Sequence, residues 1–154
     1  MQERENIKSS LPLHHIDTSI ILEPNDSEYG RYCRKYLQRV GYNYRGILSF
    51  PVLSELFSII LRIEDYTNMH DSLDMVKELI NVRKIGFYSP KNTDKIIRII
   101  KEIDTRIDPI DREVLASAIE HQAVNLVTLD EKLINSTILE KKFRIRISHP
   151  KDLL

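Results

Sequence analysis

Ile16-Asp17-Thr18-Ser19-Ile20-Ile21 is a short apolar, β-branched run with one carboxylate set into it. A buried strand holds a lone Asp only at its mouth, and only with a partner, because an unpaired buried charge is costly. The flanks extend the apolar character, so Leu11 to Leu22 reads as a central strand with Asp17 inside it. What partners Asp17 is the question this run poses.

Outward from it, helical and extended patterns alternate. Glu23-Pro24-Asn25-Asp26-Ser27 has turn and helix-start chemistry. Tyr29, Tyr32, Cys33, Tyr36, Leu37 and Val40 recur at three- and four-residue steps, which predicts a helix over 27–40 with Gly41 as its stop. Ser49 and Pro51 open a second helix, with Glu55 one turn past the cap. A third helix is expected over 69–82 and a short strand over 85–88. Asn92 or Thr93 caps a fourth helix, whose stripe is Ile96, Ile100, Ile103 and Ile107. Asp108-Pro109-Ile110-Asp111 starts a fifth, with Asp at the cap, Pro at the first position and an acid at the third. Val124 to Thr128 reads as a strand leading to Asp130, and Phe143 to Ile147 as a last strand at a sheet edge. This alternation predicts an α/β fold, a mostly parallel sheet with helices on both faces. Residues 1–10 are polar and without period and read as a flexible tail; residues 11–154 read as one domain.

Composition narrows the classes. A chain of 154 residues buries roughly 68–70% of its unfolded surface, enough for a core without staples. Its single cysteine excludes an intrachain disulfide, and its five histidines lack the ligand spacing of a zinc site. A reducing, cytoplasmic setting is expected, and no apolar run reaches the ~18 residues of a membrane span. With 23 basic and 23 acidic residues, any nucleic-acid binding must come from a local patch.

Each acid has an ordinary use. Asp17 and Asp130 can each cap a turn or helix just beyond them, Asp111 can serve a helix dipole, and Glu55 can be solvated. Together they form a pattern. Open α/β sheets bind ligands outside the carboxyl ends of their strands, where Asp17 and Asp130 lie. Asp111 and Glu55 sit early in helices that start from the same side. Four carboxylates there repel and raise one another's pKa values. A hard divalent cation, Mg²⁺ or Mn²⁺, resolves that conflict, and such a site performs metal-assisted phosphodiester hydrolysis.

Four pieces then stand in a familiar order: Ile16-Asp17-Thr18-Ser19; Ile47-Leu48-Ser49 with Glu55-Leu56; Asp111 with Ala116-x-Ala118-Ile119-Glu120; and Val127-Thr128-x-Asp130. With the ending Ile145-Arg146-Ile147-Ser148-His149-Pro150, they resemble the PIN-domain nucleases over residues 12–150. The resemblance implies a single-domain flavodoxin-like sandwich with a parallel sheet of four or five strands in the order 3-2-1-4-5. It implies a Mg²⁺- or Mn²⁺-dependent ribonuclease whose metal ligands and catalytic acids are Asp17, Glu55, Asp111 and Asp130. Thr128 would orient its loop, and Thr18 and Ser49 would support the site. Toxin-type, VapC-like members pair with a small antitoxin and commonly form homodimers, so both partners are expected. One position departs from the pattern: many members carry a further acid two residues after the last Asp, where this chain has Lys132.

No acid occurs from Tyr29 to Ser54, whereas Arg31, Arg34, Lys35, Arg39 and Arg45 do, interleaved with five tyrosines. Basic side chains grip phosphates and tyrosines stack bases, so these five cations are the expected RNA contacts. The competing expectation is a non-catalytic PIN-like module that binds RNA or protein, to which Lys132 lends weight. A receiver-type signalling domain ranks last, because no lysine ends a late strand. His14 and His15 are assigned no role.

Overall fold

The apolar run stops being a strand at Asp17. In the computed structural model, which describes residues 10–83 and 85–154, β1 is Leu13–Ile16 and α1 is Thr18–Leu22. The expected strand over Leu11–Leu22 is therefore half strand and half helix. Ile20 and Ile21 are buried all the same, so their apolar character reports burial and not extension. The expected tail over 1–10 lies, except for Ser10, outside the described residues.

Further along the chain come α2 (Glu28–Arg39), β2 (Arg45–Ser49), α3 (Phe50–Ile60), α4 (Tyr66–Arg83), β3 (Gly86–Tyr88), α5 (Asp94–Ile103), α6 (Pro109–Glu120), β4 (Asn125–Val127), α7 (Glu131–Ile134), α8 (Thr137–Phe143) and β5 (Arg146–Ser148). A 3₁₀ turn, Pro150–Leu153, ends the chain. The five strands are all parallel, in the order β3-β2-β1-β4-β5. That is the expected flavodoxin-like order, with helices flanking the sheet.

Two further boundaries differ from expectation. Ile107 is buried but lies in the loop before α6, outside the helix whose stripe it was to extend. The last strand begins at Arg146 because Phe143 ends α8 and Arg144 turns left-handed at φ 54°. Gly41 stops α2 as expected, with φ 87°. No helix among the described residues is long and apolar enough to cross a membrane.

The central strand is packed by two histidines on opposite faces, as its two-residue period requires. His14 bonds Tyr36 Oη through Nδ1 at 3.1 Å and stacks on Tyr44. His15 Nε2 shares a hydrogen bond of 2.8 Å with Nδ1 of His121, which stacks on Tyr88. Burial lowers the pKa of His14 to about 4 and, with His121 beside it, that of His15 to about 3. Both are core groups.

One glycine fixes how α2 docks. A Cβ on Gly30 would overlap the carbonyl oxygen of Pro24 and stand 2.8 Å from its carbon, so only glycine lets the helix approach the turn after α1. Gly30→Ala gains helix propensity but forces the backbones apart. A net loss on the order of 1–2 kcal/mol is expected, measured by urea unfolding.

Candidate active site

Because the strands are parallel, every strand delivers its next residue to the same end of the sheet. Asp17 leaves β1 there, and its N–H donates to the Val127 carbonyl at 3.0 Å, one last ladder bond to β4. Asp130 comes after β4 and caps α7, its carboxylate accepting from the Lys132 N–H at 2.9 Å. Asp111 stands in the first turn of α6, and Glu55 on α3. All four acids line one cleft of about 390 Å³ together with Thr18, Ser19 and Leu129.

Hydroxyl groups aim the carboxylates. Thr18 Oγ1 donates to Glu55 at 2.7 Å. Ser19 Oγ and Thr128 Oγ1 both donate to Asp17 Oδ2, at 2.7 and 2.8 Å. Ser19 also accepts from the Leu129 N–H, and Thr128 from the Asp130 N–H. Thr128 thus ties Asp17 to the Asp130 loop from a fully buried position. Ser19 does as much as Thr128, although its place in the sequence suggests only a strand residue. Ser49 does not line the cleft; its Oγ is buried and has no hydrogen-bond partner among the described residues.

The electrostatics match the crowding. Burial, then the negative charges of Asp17 and Asp130, push the Asp111 carboxyl up to about 7. Among the described residues, no three His, Cys, Asp or Glu side chains already stand as a ready coordination shell. The four acids share a cleft, with Asp17, Glu55 and Asp130 each held by hydrogen bonds and Asp111 set against Asp130. An all-oxygen donor set in which one acid is driven to keep its proton fits a hard divalent cation, whose charge would let all four ionise.

Residues 15–137 match the PIN domain. The chain belongs to the PIN domain family. No curated protein sequence matches it. Among solved structures it is similar to FitAcB from Neisseria gonorrhoeae at 16% identity, TM-score 0.65, with 90% of this chain and 98% of that chain covered. It is also similar to VapBC2 from Rickettsia felis, bound to a DNA fragment from their promoter, at 16% identity, TM-score 0.63, with 89% and 98% covered. VapBC-1 from nontypeable Haemophilus influenzae is similar at 15% identity, TM-score 0.63, with 90% and 98% covered. At such identities the likeness speaks for the fold.

Within this PIN domain, the position of the family's further acid is taken by a cation that turns away. Lys132 Nζ lies 3.9 Å from Asp108 Oδ2. Lys132 and Glu131 line a separate cleft of about 720 Å³ between the 104–106 loop and α7–α8, and neither lines the acid cleft. Glu120 lies outside the acid cleft as well. It anchors the loop after β3, accepting from Tyr88 Oη, Lys91 N and Asn92 N, each at 2.7 Å.

The five expected RNA cations do not form one patch at the cleft. Arg31, Arg34 and Lys35 are on α2, all three open to solvent. Arg39 donates to the Leu153 carbonyl at 3.2 Å. Arg45 begins β2 opposite Leu13, at the far end of the sheet from Asp17.

Thr128→Val should weaken divalent-metal binding about 10–100-fold with little change in fold, read by calorimetric titration. Asp111 carries its extra proton between about 4, its unfolded value, and about 7, so its contribution to stability falls as pH rises through that window. In chelator, Asp111→Asn should remove that slope from the difference in Tm between variant and wild type.

Proposed function

We propose that this PIN domain is a divalent-metal-dependent endoribonuclease, with Asp17, Glu55, Asp111 and Asp130 as catalytic acids and ligands of Mg²⁺ or Mn²⁺. The observation that carries the reading is the convergence of Asp17, Glu55, Asp111 and Asp130 on one cleft at the mouth of the sheet. A bound divalent cation supplies charge to neutralise the acids, and Lewis acidity toward a water and the scissile phosphate. The chain's own groups do the positioning. Thr128 and Ser19 fix Asp17, Thr18 fixes Glu55, and the Lys132 N–H fixes Asp130. Asp111, whose carboxyl is pushed up by burial and by Asp17 and Asp130, would hold the cation together with those acids.

The likeness to FitAcB and VapBC structures supports a place as the toxin of a type II toxin–antitoxin pair, with a small antitoxin protein as partner. A homodimer and a cytoplasmic setting belong to the same reading. Arg31, Arg34 and Lys35 are the α2 cations offered to RNA. Arg39, engaged with the Leu153 carbonyl, and Arg45, at the far end of the sheet, are left out of that role.

A second reading, a non-catalytic PIN-like module binding RNA or protein, is favoured by Lys132 standing where another acid is common. Two measurements separate them. Asp17→Asn removes one charge at nearly constant volume and should abolish Mn²⁺-dependent RNA cleavage with circular dichroism unchanged. Full residual cleavage in that variant overturns the nuclease reading. Titration with Mn²⁺ should show saturable binding that Asp17→Asn weakens; heat-silent titration by the wild type favours the binding module.

A further inference from the structure

Positive charge gathers along one edge of the sheet. β5 is the outer strand beside β4. From Lys141 to Lys151 the chain carries Lys141, Lys142, Arg144, Arg146 and Lys151, and no acid. All five are exposed: two on α8, two at the entry to β5 and one on the closing 3₁₀ turn. None of them makes an ion pair among the described residues. Of the two acids that flank the row, Glu140 turns inward, its Oε1 accepting from the Ile147 N–H at 2.8 Å. That leaves Asp152 against five cations, in a chain whose charges otherwise balance.

Edge strands are commonly blunted by charge, which is the ordinary use of such residues. Here that task is already done. β5 has three residues, and because the Arg146 N–H bonds the Val124 carbonyl, the next N–H points away from β4. Glu140 takes that N–H. Lys141, Lys142 and Lys151 lie off the strand and shield no edge. Arg144 holds φ 54°, where glycine is at ease, so this position carries its cation at a conformational cost. No exposed aromatic ring stands in the row, since Phe143 packs on the core and His149 is buried. Cations without rings grip phosphates and leave bases unread.

We propose that the β5 edge, with the end of α8 and the 3₁₀ turn, is an anchor for the phosphate backbone of RNA, apart from the acids. The proposal rests on the nuclease reading and adds a second point of attachment to it. None of the five cations lines the acid cleft. Yet β5 runs toward it: the Ser148 carbonyl accepts from the N–H of Thr128, the residue that holds Asp17. RNA held on this edge is held without regard to sequence and is released as salt rises.

The test follows a fluorescein-labelled oligouridylate by anisotropy, with the full chain in chelator, over a range of salt. Combining Lys141→Gln, Lys142→Gln and Arg146→Gln should lower the slope of log affinity against log salt by about 0.7 for each charge removed. Arg144→Gly relaxes the backbone, so it should keep or raise Tm and still lower the slope by about 0.7, while Arg144→Lys restores the slope. Lys77→Gln, exposed on the helix before the opposite edge strand, should match wild type. With Mn²⁺ and an RNA that wild type cuts, the triple variant should raise KM and leave kcat unchanged. Unchanged slopes in the triple variant and in Arg144→Gly overturn the proposal. So does a lowered slope with KM unchanged, since the edge would then hold an anion other than the substrate. A triple variant that sediments at higher mass with its slope intact gives the charges back to edge protection and also overturns it. A wild type that neither binds RNA nor cuts it overturns the nuclease reading as well. A wild type that cuts, beside a triple variant with slope and KM unchanged, overturns the anchor alone.

Discussion

The contact between Asp17 and Thr128 holds this molecule's chemistry in place. Thr128 Oγ1 donates to the carboxylate at 2.8 Å, from a residue 111 positions later in the chain. The bond sits where two parallel neighbours, β1 and β4, both run out. It closes the sheet's mouth and gives the inward carboxylate the partner that burial demands. Ser19 takes the same oxygen from the other side and ties it to Leu129. The placement of two of the four acids thus depends on one small set of hydroxyl bonds. Without the hydroxyl, a charge would be left buried and under-satisfied.

Much of this is legible from residue types alone. Parallel strands with helical crossovers send every strand end to one side, so acids placed after strands, or early in helices, converge whatever the details. That logic brings Asp17, Asp111 and Asp130 to one cleft, and Glu55 with them. The same logic, applied to Arg45, puts it at the opposite end, since it opens a strand. Composition alone groups it with the α2 cations, and the structure separates them.

Other features are not legible, for physical reasons. Ile20 and Ile21 are β-branched yet helical, because a short buried helix and a buried strand demand the same apolarity. The late start of β5 depends on Arg144 in a left-handed turn that no Gly or Asn announces. His15 and His121 meet across 106 residues, with nothing local to mark the pair. Lys132 is conspicuous as a departure, but its turn toward Asp108 needs the fold.

The two buried imidazoles of β1 make the domain sensitive to acid. Both histidines are kept neutral by burial, at about 4 and about 3, whereas an unfolded chain protonates them near 6.5. Their share of stability is therefore complete above that value and drains away on acidification. Asp111 pulls the other way, since its buried proton favours the fold below about 7. Between about 4 and 6.5 the two histidines outweigh the single acid. The histidines' contribution thus grows as pH rises toward their unfolded value, while that of Asp111 declines. On the proposed reading, a cation held by Asp111 would answer the charge that its proton answers in the free domain, and so would steady the fold at neutral pH as well as serve the reaction.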